Sequence, residues 1–381
     1  MDRRHLLAGG AALAATASVL PGLAGPATAA PAAPSPQLPS RAAIISVLRR
    51  VADHWIGAHS NSGDNGWANA TFFSGLLALH RLTGDTRYLG YARGWAEKHA
   101  YGLMGGVSTR HADNHCAGQA YLDLYEIEPE EQKLTAIEAS LRRMVYTDQP
   151  AKNDDWWWDD ALHMAMPPFA RIGALRGDPQ YWEKLYSLYH HTKQVRGGPG
   201  LYDAGSGLWY RDDRFLPGKI TSPSGKPVLW SRGNGWVAGG HTKTLKVLPA
   251  GERHVAEYRD TLTRLVTATA AVQRTDGFWN VNLADASHLP GPETSGTAFF
   301  AYGTAYAISA GLVTGAAFLP VAARAWNGLV TTAVHPDGFL GYVQKVGDRP
   351  ESSQPITYDS TADFAVGAFL LAGTELAGLA V

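Results

Sequence analysis

The stretch that decides the fold is WWWDDALHMAMPPFARIGAL, residues 156–175. A polar start, Trp158-Asp159-Asp160, runs into a segment from Ala161 to Leu175 that is apolar and rich in small residues almost all round. A helix with that pattern is buried rather than half-exposed. Working outward, the same unit recurs. Asp64-Asn65-Gly66-Trp67 precedes Ala68 to Leu82, and Asp113-Asn114-His115 precedes Cys116 to Tyr125. Arg232-Gly233-Asn234-Gly235-Trp236 precedes Val237 to Leu248, and Glu293-Thr294-Ser295-Gly296 precedes Thr297 to Leu312. Ser360-Thr361-Ala362-Asp363 precedes Phe364 to Leu376. Between these lie segments with one charged face, such as Arg41 to His59, Thr86 to His99, Gln132 to Tyr146, Pro179 to Thr192 and Arg253 to Gln273. Regular recurrence marks a repeat architecture. Buried and amphipathic helices in alternation, six of each, predict an all-α (α/α)6 barrel, a double ring. A stack of helical hairpins is the competing arrangement, since the repeats differ in length.

In a double ring the inner helices run the same way, so their N-termini meet at one end. The polar residues at each start then line a single cleft. Asp, Asn, Ser and Thr are expected there as caps of the first-turn amides. Capping does not require Trp67, Trp158, Arg232 or Trp236 at the same places, and that excess of aromatic and charged side chains points to a binding site. Short strands are predicted at Leu208-Trp209-Tyr210-Arg211 and Gly338-Phe339-Leu340-Gly341-Tyr342.

The remaining composition bounds the function. Lys and Arg number 33 against 34 Asp and Glu, which excludes the basic footprint of a nonspecific nucleic-acid binder. Charged residues at 18% and hydrophobic ones at 45% exclude a disordered chain. Arg3-Arg4, a Leu/Ala/Gly run to about Leu20 and Ala27-Thr28-Ala29 read as a secretory signal over residues 1–29, of the twin-arginine type. Residues 30–40 read as a flexible Pro/Ala/Ser leader and 41–381 as one catalytic barrel. The apolar run is short and broken against the ~20 residues needed to span a bilayer, so no membrane partner is expected. Cys116 is the single cysteine, so no internal disulfide can form.

The candidate carboxylates are Asp64, Asp113, Asp159, Asp160, Glu293 and Asp363. Asp160 stands out because Trp156, Trp157 and Trp158 precede it. Aromatic surroundings desolvate a carboxyl group and favour its protonated form. Asp113 opens the neighbouring inner helix, and a second carboxylate nearby strengthens that effect. Two carboxylates in an aromatic cleft is the arrangement used in glycoside hydrolysis. The alternative for both is simple capping. Asp159 is expected to point away from the cleft. His111, His115 and Cys116 cluster with Asp113 but lack a completing set of zinc ligands, so no metal is expected. Cys116, at the start of a small-residue helix, is expected to pack. Arg232 and Arg211 are candidate anion binders through the planar guanidinium fork. For Arg211 a structural ion pair with Asp212 or Asp213 is an equal alternative.

The motifs WWWDDALHMAMPPFARIGALRGDPQY, WSRGNGWVAGG, ADNHCAGQAYLDLY and ETSGTAFFAYGTAYAI resemble those of the family 88/105 glycoside hydrolases, the unsaturated glucuronyl and rhamnogalacturonyl hydrolases. The resemblance spans about residues 60 to 375. It implies an (α/α)6 barrel, and it implies Asp160, in W-x-D-x-L-x-M, as the acid/base with Asp113 as its partner. Trp230, Arg232 and Trp236 in W-x-R-x-x-G-W, and Trp67 and Asn69 on the first inner helix, are implied as substrate contacts. The implied substrate is the 4,5-unsaturated uronic acid that polysaccharide lyases leave at a non-reducing end. The implied chemistry is hydration of its vinyl ether, with no metal or organic cofactor. Several family members carry a histidine where this chain has Arg211, which leaves sugar and linkage open. A conventional glycosidase on saturated sugars, a sugar epimerase and a non-catalytic carbohydrate-binding barrel remain as alternatives.

Overall fold

A computed structural model describes residues 36–352 and 354–380. The signal segment and residues 30–35 of the leader lie outside them. Residues 36–40 have no regular structure, yet the Gln37 carbonyl accepts a hydrogen bond from Asn327 Nδ2 at 3.0 Å and Ser40 caps the first helix.

The chain alternates outer and inner helices: α1 (Arg41–Ala58), α2 (Trp67–Thr83), α3 (Thr86–Lys98), the short α4 (Ala112–His115) leading into α5 (Ala117–Ile127), α6 (Thr135–Arg142), α7 (Ala161–Arg176) and α8 (Gln180–Gln194). After a two-stranded ribbon, β1 (Tyr202–Asp203) with β2 (Leu208–Trp209), come α9 (Ser231–Leu245), α10 (Val255–Ala271), α11 (Thr294–Ser309), α12 (Gly315–Gly328) and α13 (Asp363–Ala377). Helices α2, α5, α7, α9, α11 and α13 pack in that order, and α13 returns to pack on α2. That last contact closes the ring and excludes an open stack of hairpins. Helix α12 is the outer helix for which no charged-face segment stood out. No helix among the described residues is long and apolar enough to cross a membrane.

Two local devices let apolar helices close so tightly. At the α2–α13 seam Gly75 faces Gly367, and a Cβ on either would collide with backbone of the other helix. Inside α7, Pro167 and Pro168 cannot donate to the carbonyls four residues back. Gln119 of α5 repairs the loss: its Nε2 donates to the His163 carbonyl at 2.7 Å and to the Met164 carbonyl at 3.2 Å.

Two expectations need correction. The fourth inner helix begins at Ser231, not Val237, so Arg232 to Trp236 lie within its first turns. Residues 338–342 form no strand and contribute one bridge, Val334 with Leu340. The 208–211 expectation is met over two residues, Leu208–Trp209.

Candidate active site

The start of α7 shows why this end of the barrel is chemical rather than merely capped. Asp160 occupies the N-cap position of α7, and its carbonyl accepts from the amides of His163 and Met164 at 3.0 and 3.3 Å. Its carboxylate makes no capping bond. Glu293, at the corresponding position of α11, caps fully: Oε1 accepts from the Ser295 amide at 2.9 Å and Oε2 from the Gly296 amide at 2.7 Å. Asp64 accepts from the amide of Gly66, the N-cap residue of α2, at 2.8 Å, in the turn before that helix. The capping role therefore accounts for Glu293 and not for Asp64 or Asp160.

The Asp160 carboxyl lines a cavity of about 340 Å³ together with Asp113, Trp67, Trp158, Met164, Arg211, Arg232 and Trp236, and with Val346, Gly347 and Asp348 from the loop before α13. Asp160 is 8% exposed. Its Oδ1 has no partner, and Oδ2 accepts from Arg211 Nε at 3.2 Å. Burial raises its pKa against the opposing pull of Arg211 and Arg232. Burial, and then the neighbouring Asp160 charge, push Asp113 up to about 7. Asp113 also faces His111, with Nδ1 to Oδ2 at 3.8 Å. Burial thus lifts both acids above the ordinary carboxylate range, while the Arg211 bond pulls Asp160 back toward its ionised form, a balance that suits proton transfer.

Arg211 reaches Asp160 because a β-bridge joins Trp158 to Asp212, laying the segment after β2 alongside the start of α7. The Asp159 amide donates to the Arg211 carbonyl at 2.8 Å in the same pairing. The guanidinium lies over the Trp157 ring, 5.4 Å from its centroid, and Nη1 donates to Asp212 Oδ2 at 2.7 Å. The ion pair with Asp212 is therefore present, and Arg211 also lines the cavity.

Arg232 stands differently. Its Nη1 donates to the carbonyls of Gln344 and Lys345, both at 2.7 Å, and Nη2 to that of Gly347 at 3.1 Å. Burial pushes it down to about 10. Its guanidinium clasps the loop that roofs the cavity, where sequence reasoning had made it an anion binder. Trp230 is 1% exposed and does not line the cavity. Its Nε1 donates to Gln344 Oε1 at 2.8 Å, and its ring carries the Arg232 guanidinium at 4.3 Å. Trp230 supports the site from behind. Asn69 faces a separate hollow with Trp55 and His59 and donates to Asp64 Oδ1 at 3.1 Å.

Asp159 turns away from the cavity, as expected, but into a fully buried place where neither carboxylate oxygen has a partner. Burial and the adjacent Asp160 charge hold its pKa well above the carboxylate range. Asp363 lines the Asn69 hollow, and burial pushes it up to about 6. His115 is buried against Ser140, Nε2 to Oγ at 3.0 Å, whereas His111 leans on Trp158. The two imidazoles do not converge as a ligand pair. Cys116 is buried, its thiol pushed up to about 12.

Sequence reasoning missed Met164 and the Val346–Asp348 loop. Met164 was within reach, because i and i+4 share a helix face with Asp160. The loop carries no local signal.

A model of Glycosyl Hydrolase Family 88 matches residues 43–380. An unsaturated 3S-rhamnoglycuronyl hydrolase from Formosa agariphila is 28% identical over 329 residues, covering 81% of this chain and 84% of that protein. Among solved structures, a family 88 glycosyl hydrolase from Bacteroides vulgatus superposes with a TM-score of 0.83 at 31% identity, covering 89% of this chain and 99% of the other. A protein described as a polysaccharide lyase superposes with a TM-score of 0.82 at 34% identity, covering 89% and 98%. The match over nearly the whole described chain, on a closed double ring with its acids at one end, makes this protein a member of glycosyl hydrolase family 88.

Proposed function

We propose that this glycoside hydrolase removes a 4,5-unsaturated uronic acid from the non-reducing end of lyase-generated oligosaccharides. The observation that carries the reading is the Asp160 carboxyl, withheld from capping and buried in an aromatic cavity beside a second raised acid and a cation. Asp160 protonates C4 of the vinyl ether, and the C4=C5 electrons form the new C–H bond. Water adds at C5 and returns a proton to Asp160. The hemiketal so formed opens and expels the remaining saccharide. One carboxyl group serves in turn as acid and base, and the chemistry asks only for that group and water. Asp113 is the second acid in the cavity wall, its pKa raised by burial and by the Asp160 charge. Trp67, Trp158 and Trp236 supply apolar faces for the sugar ring. The name of the Formosa relative points to the same substrate class. We propose export by the twin-arginine route, on the strength of Arg3-Arg4 and the Ala27-Thr28-Ala29 site.

The test is ultraviolet absorbance of the conjugated uronate on a panel of unsaturated disaccharides. A hydrolase lowers the absorbance and releases the partner sugar. A lyase, the activity that the second solved neighbour's name describes, raises absorbance on an intact polysaccharide. Constant absorbance with release of sugar from saturated uronosides would replace the proposal with conventional glycoside hydrolysis.

A further inference from the structure

Arg211 is strung between two carboxylates. Its Nε holds Asp160 at 3.2 Å and its Nη1 holds Asp212 at 2.7 Å. Asp212 is itself fixed by Arg214, whose Nε and Nη2 donate to its two oxygens at 2.9 and 2.8 Å. Arg214 is anchored in turn on Asp348, with Nη1 to Oδ2 at 2.8 Å.

A guanidinium takes a carboxylate through two parallel bonds, either on its Nε/Nη2 edge or on its Nη1/Nη2 end. The end is committed here through Nη1 to Asp212, which is 1% exposed and shared with Arg214. The edge is held only by the longer single bond to Asp160. The other arginine of the cavity, Arg232, is spent on the carbonyls of the roof loop. A carboxylate entering the cavity therefore finds its two-bond face on the Nε/Nη2 edge of Arg211, and taking it requires Asp160 to leave.

We propose that Arg211 acts by ligand exchange: the substrate carboxylate takes its Nε/Nη2 edge, Asp160 is released, and the released acid takes up from solvent the proton it then delivers to C4. The inference rests on the proposed uronate substrate. The charged groups that face Asp160 are Asp159 from its own helix start, Asp113 from α4, Arg211 and Asp212 from the segment after β2, and Arg232 from α9. After exchange, the Arg211 charge is matched by the uronate and its Nε no longer holds Asp160. Both changes favour a protonated Asp160, while Arg232 continues to favour the ionised form. Its unpartnered Oδ1 offers the place for that proton. One proton enters on binding and passes to C4, the adding water restores it, and it leaves with product, so none is consumed. Free enzyme keeps Asp160 ionised and anchored, and substrate arms it.

The experiment is the pH dependence of kcat/KM, which reports free enzyme, and of kcat, which reports the complex, on a disaccharide that the absorbance assay shows to be turned over. In the wild type the group that must be protonated titrates at least about one unit higher in kcat, a tenfold rise in proton affinity. In Arg211→Gln the two values coincide and KM rises about tenfold or more. A stopped-flow indicator measurement, at a pH between the two wild-type values, shows a burst of proton uptake in the wild type and none in Asp160→Asn. Coincident wild-type values, or equal uptake in Asp160→Asn, would overturn the exchange while leaving the hydrolase assignment standing. Absence of turnover across the panel would overturn the hydrolase assignment itself.

Discussion

A carboxylate at the start of an inner helix can spend its oxygens on the amides of the first turn or aim them into the barrel mouth. Glu293 does the first and Asp160 the second. Asp160→Asn keeps size and shape but removes the transferable proton. It is expected to lower kcat by about 100- to 10,000-fold while leaving saccharide affinity largely intact. Steady-state rates with calorimetric binding check this, and near wild-type turnover would remove Asp160 from the mechanism. Asp159 next door supports a stability prediction. Its folded form holds a proton that the unfolded chain releases above the ordinary value of 3.8. It therefore favours the fold at low pH, and that contribution is lost as pH rises. Melting temperatures followed from about pH 5 to about pH 8 should fall less steeply for Asp159→Asn than for the wild type, because asparagine has no proton to lose. Parallel curves would show that Asp159 does not carry the proton assigned to it.

At the scale of the element, α7 bears two costs that neighbours offset. Pro167 and Pro168 strand two carbonyls, and Gln119 of α5 donates to both while its Oε1 accepts from Lys243 Nζ of α9 at 2.7 Å. One side chain thus joins three inner helices. Gln119→Leu leaves buried groups unpaired, at about 1–3 kcal/mol each. A urea titration should show the unfolding midpoint displaced by a loss of that order. An unchanged midpoint would mean that water supplies the partners. The recurrent polar-start, small-apolar helix was legible from pattern because a helix buried on all sides has few solvent-facing positions to mask its run. Its exact start was less legible: in α9 the glycines of RGNGW read as a turn, yet their lack of side chains is what lets the helix begin early. A Cβ at Gly233 would meet Asp159, and one at Gly235 would press on Phe299.

At the scale of the whole molecule, ring closure is the decisive contact. Helix α13 meets α2 through Gly75 and Gly367, near the two ends of the described chain. Gly367→Ala drives a methyl group into the Thr71 carbonyl. Overpacking of this kind costs about 1–3 kcal/mol, and calorimetry should show a lower melting temperature. An unchanged value would show that the seam relaxes freely. The same closure brings the roof loop of residues 344–348, more than 100 positions from Arg232 in the chain, over the acid site.

The sequence by itself determined the six-fold alternation and the end of the barrel where polar and aromatic side chains gather, and it singled out the two acids, Asp113 and Asp160, that the structure brings into one cavity. Those follow from local periodicity and from side chains that capping does not explain. Tertiary structure decided what each arginine and tryptophan is for. Arg232 is a clasp rather than a free anion binder, Trp230 is its platform, Asn69 faces another hollow, and Arg211 is divided between Asp160 and Asp212. The physical reason is that a guanidinium or an indole has several possible partners. Which of them it meets depends on segments brought together only by closing the ring, and no spacing within a motif records that.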